Sequence, residues 1–198
     1  MKKLIIASNN QGKIREFKRM IGDFYDEVLS LRDAGIKADV VEDGTTFYEN
    51  ARKKALEISL MVDCDVMSDD SGLSVDCLGG APGVYSARFS GEGATDEKNN
   101  ALLVSKVSAY PENERTARYV CDIVLARNGK ELLHAEGSCE GIIITDPRGE
   151  NGFGYDPYFF YPPLGKTFAE IEMDLKNTLS HRAKALFELE KLMKENNG

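Results

Sequence analysis

Between Ala117 and Leu125 apolar residues occupy every second position, Ala117, Tyr119, Cys121, Ile123 and Leu125, and Asn128-Gly129 follows almost at once. A strand sends successive side chains to opposite faces, so this alternation predicts a strand with one face on a core. Asn-Gly readily supplies the two positive φ angles of a type I′ turn, whose twist suits antiparallel strands. The chain then returns toward Ile142, Ile143 and Ile144. Any sheet built on this hairpin is at least partly antiparallel.

Strands and helices alternate around it. Lys2 to Ala7 reads as a buried strand, and Asn9 or Asn10 caps a helix whose Ile14, Phe17 and Ile21 recur at helical spacing. Thr46 and Glu49 form a capping box before Ala51, Ala55 and Ile58, predicting a helix to about Met61. Val66 to Ser68 leads to a turn at Asp69-Asp70-Ser71-Gly72, after which Leu73, Val75 and Cys77 alternate with polar residues as a second strand segment. Gly79 to Gly83 is too rich in glycine and proline for regular structure and reads as a lid-like loop. Thr95 or Asp96 caps a helix through Leu103 and Val107, and Ser180 caps a last one carrying Leu186 and Leu189. Pro147 to Pro163 reads as loop. The order predicts one α/β domain, residues 1–198, with a mixed, partly antiparallel central sheet and flanking helices.

Composition narrows the function. With 198 residues, 42% of them hydrophobic, the chain can bury a core without a staple. Its four cysteines form no C-x-x-C pair, and His134 and His181 lack metal-ligand spacing, which argues against structural zinc and for a reduced, cytoplasmic setting. Leu4 to Ala7 is too short for a signal core or a membrane span. A formal charge of −8 without a basic cluster disfavours a nucleic acid polymer as partner, while a single anionic nucleotide stays possible if a metal and local lysines neutralise it.

Four segments hold the polar chemistry. Ser8, Asn9, Asn10, Gln11, Gly12 and Lys13 stand at a helix start, where N–H groups and the dipole favour phosphate, although an ordinary capped helix looks the same. Glu42, Asp43, Asp69 and Asp70 are candidate Mg²⁺ ligands or simple turn formers; neighbouring strand residues face opposite ways, which sets Asp69 and Asp70 apart unless a turn reorients them. Phe153, Gly154, Tyr155 and Asp156 suit stacking on a flat base, or cover a core. His181 and Arg182 put positive charge at a helix start, the end that favours anions, which suits an oxygen-rich ligand or a solvated pair. Gly165-Lys166-Thr167 is not a P-loop, because Phe160 stands where its first glycine belongs, and Pro157 breaks a dinucleotide fingerprint at Gly152.

Together and in this order these segments closely resemble the inosine triphosphate pyrophosphatase family, over nearly the whole chain. The carriers are Ser8 to Lys13 with Glu16, Thr46 to Ala55, Ser68 to Leu73, Gly79 to Arg88, Gly152 to Pro157, and Ser180 to Arg182. The resemblance implies two lobes around an active-site cleft, a homodimer, Mg²⁺ as cofactor, and hydrolysis of ITP, dITP and XTP to monophosphate and pyrophosphate. It also implies that Asp70 is the general base, that Glu42 and Asp70 meet Mg²⁺, and that Ser8 to Lys13, Lys54 and Ser71 hold phosphates. Phe153 to Asp156, Lys176, His181 and Arg182 would then surround the nucleoside. A donor such as Arg182 or His181 opposite the purine keto oxygen would face an amino donor in adenine, a mismatch of about 1–3 kcal/mol. The rival readings are a related pyrophosphatase for pyrimidine or methylated nucleotides and a non-catalytic nucleotide sensor.

Overall fold

The structure, a computed structural model, describes residues 1–21 and 24–196. Seven strands form one mixed sheet in the order β2-β1-β3-β4-β5-β6-β7. They are β1 (Lys3–Ile6), β2 (Glu27–Ser30), β3 (Asp65–Val75), β4 (Thr116–Arg127), β5 (Lys130–Ile143), β6 (Phe159–Tyr161) and β7 (Lys166–Thr167). The helices are α1 (Gln11–Ile21), α2 (Phe47–Ser59), α3 (Asp96–Val107), α4 (Met173–Leu179) and α5 (His181–Asn196). Among the described residues no helix is long and apolar enough to cross a membrane.

The chain divides into two compact units. The first comprises Met1–Asp70, Cys121–Gly137 and the chain from Lys184. Here β1 lies parallel to both β2 and β3, and α1 makes the crossover between β1 and β2. The unbroken apolar run of β1 has a physical cause, since both of its faces are covered. Leu4 and Ile6 pack with Ile14, Phe17 and Ile21 of α1 and Leu186 and Leu189 of α5, while Ile5 and Ala7 pack with Ile58 of α2, Leu31 and Val66. Each fully buried Leu, Ile, Val or Phe among them contributes about 1.5–3 kcal/mol.

Helix α2 begins as its sequence dictates. The Thr46 hydroxyl accepts from the Glu49 N–H at 3.1 Å, and the Glu49 carboxylate accepts from the Thr46 N–H at 3.2 Å. Its end comes at Ser59, earlier than the expected Met61. There the Ser59 hydroxyl donates to the Leu56 carbonyl and accepts from the Gly129 N–H of the hairpin turn, 2.9 Å each. The small faces of Ala51 and Ala55 lie on Val124 and Ala126 of β4.

The second unit comprises Ser71–Val120 and Ser138–Ala183. Leu73, Val75, Ala117, Tyr119, Cys139, Ile143 and Phe159 line its core, closed by Leu103 and Val107 of α3 and by Phe168 and Ile171. Strands β5 and β6, and β6 and β7, pair antiparallel. The hairpin is present as expected, with Asn128 at φ 50° and Gly129 at φ 71° between β4 and β5.

Three expectations need correction. No turn interrupts Asp69 to Gly72; β3 runs unbroken from Asp65 to Val75, because its acidic residues find buried partners and the strand has no need to leave the sheet. The Gly79–Gly83 segment does not stand free as a lid, since the Val75 N–H donates to the Ala81 carbonyl at 3.1 Å and the Gly80 N–H to the Val75 carbonyl at 2.9 Å. The segment from Pro147 to Pro163 is not wholly loop, as it contains β6, held by Ile142 and Ile143 of β5.

Candidate active site

In the first unit the chemistry gathers where β1 ends and β3 runs beside it. The Asn10 side chain caps α1, accepting from the N–H groups of Gly12 at 2.9 Å and Lys13 at 3.2 Å, while the Ser8 hydroxyl accepts from Asn10 N–H at 3.2 Å. Asn10 rather than Asn9 is therefore the cap. Asn9 and Gln11 are exposed, and Ser8, Gly12 and Lys13 are half-buried. Lys13 is not a solvated lysine: its Nζ lies 2.7 Å from the buried Asp69 carboxylate.

The two consecutive lysines of α2 separate the two acids that precede it. Lys54 pairs with Glu42, largely out of solvent, whereas Lys53 pairs with the exposed Asp43 at 2.7 Å. Of that acidic couple Glu42 belongs to the cluster and Asp43 to the surface. Asn50, fully buried, joins the parts: its Nδ2 donates to Asp70 at 3.0 Å and its Oδ1 accepts from the Gly44 N–H at 2.8 Å. Gly44 must stay glycine for that approach, because a Cβ there would stand 2.7 Å from Asn50 Oδ1 and 2.8 Å from Glu49 Cβ.

Burial pushes the Asp70 carboxyl up to about 6, and the charge of Glu42 adds to this, while Lys13, the Asn50 hydrogen bond and Lys54 pull the other way. Burial would lower the Lys54 ammonium, but Asp69, Glu42 and Asp70 outweigh it and leave the group raised. Both members of the Asp69-Asp70 pair thus act on one lysine, with Asp69 engaged by Lys13 and Asp70 held by Asn50. Three carboxylates against two ammonium groups leave a net negative charge when all are ionised, in a place where solvent screens it poorly.

The second unit assembles the other set. His181 and Arg182 are buried at the start of α5, so they are not a solvated pair. Ser180 caps that helix through the Ala183 N–H at 3.2 Å, the His181 ring stacks on Tyr119 at 4.7 Å and 12°, and Arg182 reaches the Ser71 hydroxyl at 3.4 Å. Lys176 is buried and donates to Asp156 at 2.6 Å. Asp156 Oδ2 also accepts from the Phe153 N–H at 2.9 Å, which closes the Phe153–Asp156 segment on itself. Gly152 permits this at φ 79°, since a Cβ there would fall 2.1 Å from Asp156 Oδ2.

Within that segment the roles divide. The Tyr155 ring is core, with its hydroxyl donating to the Ser86 carbonyl at 2.7 Å. Phe153 keeps a half-exposed ring flanked by Lys176 at 5.2 Å and Arg182 at 5.4 Å. Sequence reasoning assigned no role to Asn50 or Tyr119. In the sequence Asn50 is marked by following the capping box directly and by lying in the Thr46–Ala55 segment that carries the resemblance, and neither assigns it a role.

The Ham1 family model matches residues 4–192 of this chain. A Clostridium perfringens protein named dITP/XTP pyrophosphatase is similar to it at 48% identity, over 98% of this chain and 98% of its own length. A protein of the same name from an Exiguobacterium species is 51% identical over 95% of each chain. Among solved structures, the Staphylococcus aureus Ham1 protein is similar with a TM-score of 0.88 and 39% identity, covering 98% of this chain and 100% of that one.

Proposed function

This chain belongs to the Ham1 family, and we propose that it hydrolyses the deaminated purine nucleoside triphosphates ITP, dITP and XTP to the monophosphate and pyrophosphate, using Mg²⁺. Its relatives are named dITP/XTP pyrophosphatase. The observation that supports it in this chain is the cluster of Lys13, Lys54, Glu42, Asp69 and Asp70, half-buried lysines set among carboxylates.

The donor set fits the cofactor. Mg²⁺ takes one or two protein carboxylates and completes its shell with water and substrate phosphate oxygens. Glu42 and Asp70 act on one another, and among the described residues no three His, Cys, Asp or Glu side chains form a complete cage. Such a pair suits a cation that arrives with its substrate, and Glu42 and Asp70 would hold it. When bound, Mg²⁺ would neutralise charge on the phosphate oxygens and lower the pKa of water.

The rest is done by the chain's own groups. A triphosphate competes with Asp69 and Glu42 for Lys13 and Lys54, and the lysines then meet phosphate in place of carboxylate. Ser8, Asn9, Asn10, Gln11, Gly12 and Ser71 would add hydrogen bonds, with the qualification that Asn10 already occupies two N–H groups of the helix start. Asp70 is mostly ionised at neutral pH even with its raised pKa, and the Asn50 bond steadies that form, so it can accept the proton of an attacking water at the α-phosphate.

Phe153, Gly154, Tyr155, Asp156, Lys176, His181 and Arg182 would form the surroundings of the nucleoside, with the Phe153 ring as stacking face. Cationic donors there favour a keto oxygen over the amino group of adenine. The enzyme is further read as a homodimer working in the cytoplasm, which sedimentation and cell fractionation test.

A nucleotide panel with product identification tests the whole reading. ITP and XTP should give monophosphate and pyrophosphate in equal amounts, ATP should be a poor substrate, and EDTA should stop release. Faster turnover of dTTP or UTP than of ITP would make it a pyrimidine enzyme, and tight ITP binding without product would make it a sensor.

A further inference from the structure

Within the second unit, helix α3 contributes none of the groups assigned above to nucleotide or metal, yet it grips the Phe153–Asp156 segment at one residue, Gly154, through the two peptide units that flank its Cα. The Asp96 carboxylate accepts from the Gly154 N–H at 2.8 Å, and the Asn100 amide donates to the Gly154 carbonyl at 2.9 Å. Positions four apart lie one above the other on a helix face, so the two side chains work as the jaws of a clamp. Gly154 stands at φ 63° with open space where a Cβ would be, so its backbone conformation, not crowding, requires glycine. Asn100 is buried, and its Oδ1 has no hydrogen-bond partner among the described residues; the amide is spent on this one bond. From within, Asp156 ties the same segment to Lys176 and to the Phe153 N–H.

We propose that Asp96 and Asn100 are positioning residues for base selection: by fixing the backbone on both sides of Gly154 they help fix the attitude of the adjoining Phe153 ring between Lys176 and Arg182. The inference rests on the proposed role of Phe153 as the stacking face. The Phe153 ring is half-exposed and is held from one side by the Asp156 bond to its N–H, so the α3 bonds at Gly154 supply the hold on the other side, and misplacement of a stacked base shifts its keto oxygen away from the cationic donors. Discrimination between ITP and ATP therefore depends on a helix that touches neither.

The test compares Asp96→Ala, Asp96→Asn and Asn100→Ala with wild type in kcat and KM for ITP and ATP. In both alanine variants KM for ITP should rise on the order of tenfold, kcat should stay within about threefold, and the ITP-over-ATP preference in kcat/KM should fall on the order of tenfold. Asp96→Asn should restore the preference, because an amide oxygen still accepts from the Gly154 N–H. Asp96 is exposed, so its variants keep the test open even if removal of the buried Asn100 amide prevents folding. An unchanged preference in Asp96→Ala would overturn the positioning role alone. A wild-type enzyme that does not distinguish ITP from ATP would overturn the reading beneath it, and the proposal with it.

Discussion

Asn50 shows how much of this chemistry depends on a side chain that needs to touch no substrate. One amide satisfies both the Gly44 N–H and the Asp70 carboxylate, so a single residue ties the segment before α2 to an acid far away in sequence. Asn50→Ala should lower the unfolding free energy by about 1–3 kcal/mol, the cost of leaving buried partners unmade, and should lower kcat for ITP on the order of tenfold or more. Urea titration and steady-state kinetics check the two effects; unchanged kcat would place Asn50 in the fold alone. At this scale the sequence was only half legible. Glu42 and Asp43 are neighbours of like charge and become different only when Lys54 turns to one and Lys53 to the other. Lys13 looks like any helix-start lysine until Asp69 claims it.

At the scale of elements, legibility followed length and pattern. The hairpin, the capping box of α2 and the caps Thr95 and Ser180 were readable because each rests on a local rule that tertiary packing did not oppose. Strands β2, β6 and β7, of four, three and two residues, are too short to show alternation, and the seven-residue α4 offers barely two turns. The Asp69–Gly72 stretch misled for a different reason: its residues favour turns locally, and only buried partners in the folded chain make the extended form the better one. Helix α1 packs in the first unit's core with β1 and α5, and its Phe17 is fully buried there. Phe17→Ala should destabilise the protein by about 3–5 kcal/mol, read from the denaturation midpoint. A loss under about 1 kcal/mol would mean the site refills by collapse.

Over the whole molecule, each of the two units gathers its own set of polar groups. Parallel strands and a crossover helix in the first unit bring lysines and carboxylates to one place, while the second unit buries Lys176, His181 and Arg182 around an aromatic segment. Neither set is contiguous in sequence, which is why single motifs said little and their joint order said much. If Asp70 accepts the proton of water, as proposed, the substitution Asp70→Asn removes that acceptor, and saturating Mg²⁺ offsets the weaker metal ligand that the amide leaves. The amide keeps the size of the side chain and an oxygen that accepts from Asn50, so the melting midpoint should change little, and ITP binding at saturating Mg²⁺ should persist. Turnover of ITP with Mg²⁺ should fall on the order of 10²–10⁴-fold in Asp70→Asn. Near-wild-type release of pyrophosphate by that variant would mean that Asp70 is not the proton acceptor.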